Sequence, residues 1–343
     1  MQHAAAPPKM TSEPYARSEK EIIDASRPFA QESPARSWAY LLSTSGLLAL
    51  TTTGALLVNA TTWRLFFAIA SGLTIVRMFV IYHDFMHGAL LRKSRVARAI
   101  LYTYALLAMT PPRTWRQTHN YHHAHTAKIV GSHVGSYAMV TPNMWAKMSP
   151  HQRRLYKATR HPLTILFAYF TIFMFGMCVA PFLRAWRKNW DSALSLVLNL
   201  SLTAVIIHYA GFAAFAFAYG LPLAIATALG GYLFYAQHNF PGVQVQPRES
   251  WSYTRAALES SSYLKMGPVL RWFTGNIGYH HVHHLNAQIP FYRLPEAMAA
   301  IPELQRPSTT SFAPRDIVGC LRLKLWDPAS GTMVGYPADD LIR

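Results

Sequence analysis

Ser192–Pro247, SALSLVLNLSLTAVIIHYAGFAAFAFAYGLPLAIATALGGYLFYAQHNFPGVQVQP, is a run of 56 residues without one Asp, Glu, Lys or Arg. A helix needs about 20 apolar residues to cross a bilayer, so this run has room for two crossings. The same pattern recurs on its N-terminal side. Ser37–Trp63 holds 27 uncharged residues and Leu163–Leu183 holds 21. A further span over about Arg64–Tyr82 carries Arg77 near its end, where a long side chain reaches the interface. Of 343 residues, 51% are hydrophobic and only 14% are charged, against about 25% charged in soluble domains. A soluble helical bundle needs charged faces that these runs lack. The apolar content excludes disorder. The two cysteines, Cys178 and Cys320, leave no disulfide framework, thiolate zinc knuckle or iron–sulfur cluster.

The net charge of +17 sorts the segments by side. Residues 88–162 hold twelve Lys or Arg and no acid, and positive loops stay in the cytoplasm. Within that stretch, the 14 uncharged residues Ala99–Pro112 are too short to span and read as an interfacial or re-entrant segment. The loop Arg184–Asp191 is also basic, so 163–183 is expected to dip into the membrane without crossing it. Four full spans and two partial segments result, with a six-span count as the rival. The chain from His238 onward is then cytosolic and of mixed charge, as a folded cap would be. The first 36 residues carry five acids and five bases and no signal-peptide core, which suits a cytosolic tail. The expected fold is an all-α integral membrane protein with four transmembrane helices, re-entrant or interfacial helices and a cytosolic helical cap. Its expected parts are an N-terminal tail 1–36, a membrane domain 37–305 and a C-terminal tail 306–343. Basic loops beside a bilayer are explained by anionic headgroups rather than by nucleic acid, and an acidic electron donor is a second partner class.

Most of the 16 histidines fall into three clusters. His83-Asp-Phe-Met-His87 is an H-x-x-x-H pair, and His119-Asn-Tyr-His122-His123 is H-x-x-H-H. His280-His281-Val-His283-His284 contains a second H-x-x-H-H. On a helix, spacings of three and four put side chains on one face about 5 to 6 Å apart, close enough to share a metal. The first pair is expected about once by chance in such a chain, but each H-x-x-H-H only about 0.03 times. His83, His87, His119, His122, His123, His280, His283 and His284 are too many for one tetrahedral ion. They suit two metals with open positions, and imidazole alone does not choose among iron, zinc and copper. All three clusters lie on the face assigned to the cytosol.

These boxes resemble those of the membrane fatty acid desaturases. Arg77–His87, Trp115–His123, Arg160-His-Pro162, Tyr235–Phe240 and Asn276–Leu285 are most similar to bacterial acyl-lipid and plant-type Δ12 desaturases, over roughly residues 35–305. The resemblance implies two non-haem irons on the eight box histidines, O₂ as co-substrate and reduction of O₂ to water. It implies a cis double bond made in a lipid-linked acyl chain, with the protein in the bacterial inner membrane and its site on the cytosolic side. His238 matches a position that the family often fills with an extra ligand or near-ligand histidine. Asn276, one turn before His280, is a candidate to hold a metal-bound water or to cap a helix. Asp84 is a candidate to accept a ring N–H and fix a tautomer, or to pair with Arg77.

No flavin fingerprint or cytochrome b5 haem motif is present in the sequence. A separate ferredoxin or cytochrome b5-like donor is therefore expected on the basic loops. His281 and His125 read as supporting or exposed residues, and His3, His151, His161 and His208 as surface, loop or packing residues. His133 is left unassigned. A hydroxylase or ketolase on the same scaffold is the nearest alternative. A histidine-rich metal transporter is the distant one, since it would place acids near the bilayer midplane and the spans contain none there.

Overall fold

The computed structural model describes residues 15–130 and 134–338, so His3 and His133 lie outside the described residues. The described chain is mostly helical. Two short ribbons are the exception: Tyr263–Lys265 pairs in parallel with Thr309–Ser311, and Leu325–Asp327 pairs antiparallel with Thr332–Val334.

Helix α1 (Glu19–Ser26) opens on a capping box between Ser18 and Glu21. Helix α2 (Pro34–Leu57) starts at a proline, whose fixed φ suits the first helical turn. A three-residue link leads into α3 (Thr61–His87), and the two helices pack side by side. A Cβ on Gly54 would come within 2.7 Å of the Phe67 ring, and one on Gly72 within 3.0 Å of the Pro222 carbonyl. Both glycines therefore let α3 lie close to its neighbours. The 27 residues of α3 span about 40 Å, more than the roughly 30 Å of hydrocarbon. Its last turns, which carry His83 and His87, accordingly have length to emerge at the surface. Gly88 ends the helix at φ 75°, donating its N–H to the Phe85 carbonyl.

Trp190–Ala236 is apolar over 47 residues and reverses at Gly211, where φ 84° and ψ 167° define a backbone region reserved for glycine. Tyr219 donates to Asn199 Oδ1, a contact that a straight helix, with about 30 Å between them, would forbid. The 56-residue uncharged run thus folds into a helical hairpin. With α2 and α3, the described residues offer three apolar helices long enough to cross a membrane, the third being this doubled one. The two segments expected to be partial are short. Helix α4 (Arg95–Leu107) reaches about 20 Å, and Tyr169–Arg184 is a short apolar helix that begins as a π-helix. Ser195 and Asn199 donate to the Leu106 carbonyl at 2.5 and 2.9 Å, satisfying the end of α4 inside the protein.

Arg77 does not reach the interface, and it does not pair with Asp84. It is 2% exposed. Its Nε donates to Thr44 Oγ1 at 3.2 Å, its Nη1 donates to the Trp272 carbonyl, and its guanidinium lies 3.8 Å from the Trp272 ring centre. Those partners bind α3 to α2 and to the cap helix Pro268–Phe273. Both flanks of the expected 37–305 unit also pack back onto it where they are described. Arg17 pairs with Glu303, Asn286 donates to Ser26 Oγ, Trp326 N–H donates to the Val140 carbonyl, and Tyr156 OH donates to the Lys324 carbonyl.

Candidate metal centre

Helix α5 (Pro112–Ala124) lies across the end of α3 and turns its His119/His122/His123 face inward. The helix His280–Leu285 faces both, with all six of its residues buried. The rings gather into two groups. His83, His87, His119, His123 and His283 form one, and His122, His238, His280 and His284 form the other, the ligand-type atoms within each lying within 4.8 Å of one another.

The division follows from helical geometry. In each H-x-x-H-H box the first and last histidines, one turn apart, enter one group, while the middle one, displaced round the helix, enters the other. His119 and His123 thus join the first group and His122 the second. His280 and His284 join the second group and His283 the first. Each box straddles both groups, so one five-residue stretch can offer ligands to two metal positions.

The distances test whether a metal fits. In the first group the Nε2 atoms of His83 and His119 are 3.0 Å apart, those of His119 and His123 3.1 Å, and those of His123 and His283 3.2 Å. In the second, His122 and His238 are 3.0 Å apart, His238 and His280 2.9 Å, and His280 and His284 3.1 Å. One imidazole nitrogen has a single in-plane proton or lone pair, yet His119, His123, His238 and His280 each meet two such neighbours. Hydrogen bonds do not account for this convergence, whereas a shared cation does. With metal–nitrogen bonds of about 2.1 Å, ligands at right angles sit about 3.0 Å apart and tetrahedral ones about 3.4 Å. The spacing therefore fits a coordination higher than tetrahedral. Buried Nε2 of His87 has no hydrogen-bond partner among the described residues, as a metal-directed nitrogen would not.

Protonation agrees. Burial pushes His238 down to about 4. Burial first, and the neighbouring imidazoles second, hold His119, His122, His123, His280, His283 and His284 well below their ordinary value. Neutral rings are the form that binds metal.

Three rings are oriented from behind. His83 Nδ1–H donates to Asp84 Oδ1 at 2.9 Å, His238 Nδ1–H to the Ser260 carbonyl at 3.1 Å, and His284 Nδ1–H to Thr126 Oγ1 at 3.3 Å. Trp115 stacks on His119 with ring centres 4.3 Å apart. Thr126 and Trp115 carried a signal that the sequence reading passed over, lying four residues from His122 and His119 respectively. The Ser260 carbonyl, a backbone group, carried none.

Asn276 corrects one expectation. The helix begins at His280 with Tyr279 in the cap position, and Asn276 sits before it in a turn at φ 55°. It neither shares a helix face with His280 nor caps that helix. Its Nδ2 donates to the Phe291 carbonyl at 3.0 Å. His281 is buried and lies in neither group, its Nε2–H donating to the Leu304 carbonyl at 3.1 Å. His125 stacks on Tyr121, and His151, His161 and His208 are exposed.

The family model described as fatty acid desaturase matches residues 22–315. A fatty acid desaturase of Bacillus subtilis is 29% identical over 96% of this chain and 94% of its own length. An sn-1 oleoyl-lipid 12-desaturase of Synechocystis is 23% identical over 80% of this chain and 78% of its own. A chloroplastic omega-6 fatty acid desaturase of Arabidopsis thaliana is 28% identical over 68% of this chain and 52% of its own.

Proposed function

The chain belongs to the fatty acid desaturase family, and from that premise we propose that it introduces a cis double bond into a lipid-linked acyl chain. The family makes it an oxidoreductase of lipid acyl chains, and its histidine groups can hold metal. The observation that carries the finer reading is the pair of groups, five and four imidazoles, with neighbouring nitrogens 2.9 to 3.2 Å apart. That spacing, closer than tetrahedral ligands would sit, favours two irons over tetrahedral zinc. Iron with O₂ supplies the oxidant that an unactivated methylene demands, since such a carbon has neither an acidic proton nor a leaving group. The protein's own part is to hold neutral rings, to orient His83 through Asp84 and His284 through Thr126, and to keep the site buried.

The basic stretch 88–162 follows His87 directly, which under the positive-inside rule supports a site on the cytosolic face of a bacterial inner membrane. Two electrons per turnover come from an acidic ferredoxin or cytochrome b5-like donor docking on that face. The lipid-linked substrate is supported by the name of the Synechocystis relative.

Expression in a host without this activity, followed by fatty-acid profiling, tests the proposal. A new double bond that disappears in His283→Ala supports it. A hydroxylated chain, or an unchanged profile with iron-loaded protein present, contradicts it.

A further inference from the structure

Beside the second histidine group lies a cavity walled by His122, Tyr137, Arg160, His238, Asn239 and Ser260 among others. The room open to the centre of a water molecule is about 30 Å³, enough for a water or a small anion. Its charge is unbalanced. Arg160 is 1% exposed, and among the described residues no carboxylate pairs with it. Its Nε donates to Tyr156 OH at 3.1 Å, and its Nη1 and Nη2 donate to Asn239 Oδ1 at 3.2 and 3.0 Å. Tyr156 and Tyr235 lie under the guanidinium at 5.4 and 5.6 Å. All these partners are neutral. Two of the five guanidinium protons remain without an assigned acceptor. Tyr137 OH, in the same wall, is buried with no hydrogen-bond partner among the described residues.

The histidine group on the other wall adds no negative charge. Its orienting partners are a carbonyl, Ser260, and a hydroxyl, Thr126, whereas the first group has the carboxylate of Asp84 behind His83. A buried charge without a counter-charge costs several kcal/mol, and a low-dielectric wall concentrates the field of the guanidinium into the cavity. We propose that this cavity is a binding site for a small monovalent anion of one to three heavy atoms, held by Arg160 and Tyr137 beside the second histidine group. The anion neutralises Arg160 and, once metal is bound, the excess positive charge of an all-imidazole site. The proposal rests on the cavity and its charges, and it stands whichever lipid reaction the centre performs.

The test is thermal unfolding of the iron-loaded full chain in detergent, with azide and then chloride replacing gluconate at constant ionic strength. A ligand that binds the folded state raises the midpoint saturably. The expected result is a saturable rise for the native chain, with apparent affinity at least threefold weaker in Tyr137→Phe and lost in Arg160→Gln. Should Arg160→Gln fail to fold, Tyr137→Phe decides, because it removes a hydroxyl that has no hydrogen-bond partner among the described residues. No saturable rise in the native chain overturns the proposal. So does an identical response in Tyr137→Phe, which would mean that azide reaches iron without this site.

Discussion

Asp84 Oδ2 accepts the backbone N–H of Phe291 at 2.6 Å, while its Oδ1 accepts the ring N–H of His83. One carboxylate therefore fixes a histidine of the first box and the segment that follows the third. Asn276 donates to the carbonyl of the same Phe291, so the residue is held from both sides. Asp84→Asn keeps the shape but leaves one of two donors facing an NH₂ group. Metal affinity should fall about 10- to 100-fold, the usual effect of losing such a partner. Competition with a chromophoric chelator measures it, and unchanged affinity would remove Asp84 from the orienting role.

His281 and its neighbours separate ligands from structural histidines. His281→Ala loses the bond to Leu304 and leaves a buried carbonyl unpaired, a cost of about 1 to 3 kcal/mol. It should lower the unfolding midpoint and keep full iron content. His119→Ala, His122→Ala and His238→Ala should each lose iron. Metal analysis beside a melting curve distinguishes the two classes, and an iron-free His281→Ala of native stability would contradict the assignment.

Arg77 is held by shape as much as by charge. Lysine cannot stack on Trp272 or reach Thr44 and the Trp272 carbonyl together. Arg77→Lys should destabilise the protein by about 3 kcal/mol, because a buried charge loses its partners, and Arg77→Met, which leaves no charge behind, should cost less. Denaturant unfolding of both variants checks this, and full rescue by lysine would show that charge alone matters.

Acid should unfold the metal-free protein in a defined window. The buried histidines bind protons more weakly in the folded chain than in the unfolded one, with His238 and His281 pushed to about 4. The unfolded state therefore takes up more protons below the ordinary value of about 6.5. Stability is full above that pH and declines as the pH falls towards about 4. Helical signal against pH measures it, and a flat profile from 7 to 4 would mean that the rings are not buried as described.

The spans were legible because charge is costly in a bilayer. The run Ser192–Pro247 has length for two apolar helices, and Gly211 is where it reverses. The histidine boxes were legible through helical spacing. Which rings of one box join which of another was not, because that pairing depends on how three separate elements meet. The setting of Arg77 was hidden for a similar reason: its partners, Thr44 and Trp272, are remote in the chain. Asn276 was misplaced because a four-residue spacing implies one helix face only when the helix covers both residues, and here the helix begins at His280.

The most direct measurement is the iron content and spectroscopy of chain purified without air. About two irons per chain in unlike nitrogen environments are expected, with His283→Ala and His284→Ala each disturbing a different one first. A single metal per chain, or stoichiometric zinc in protein that still makes double bonds, would contradict it.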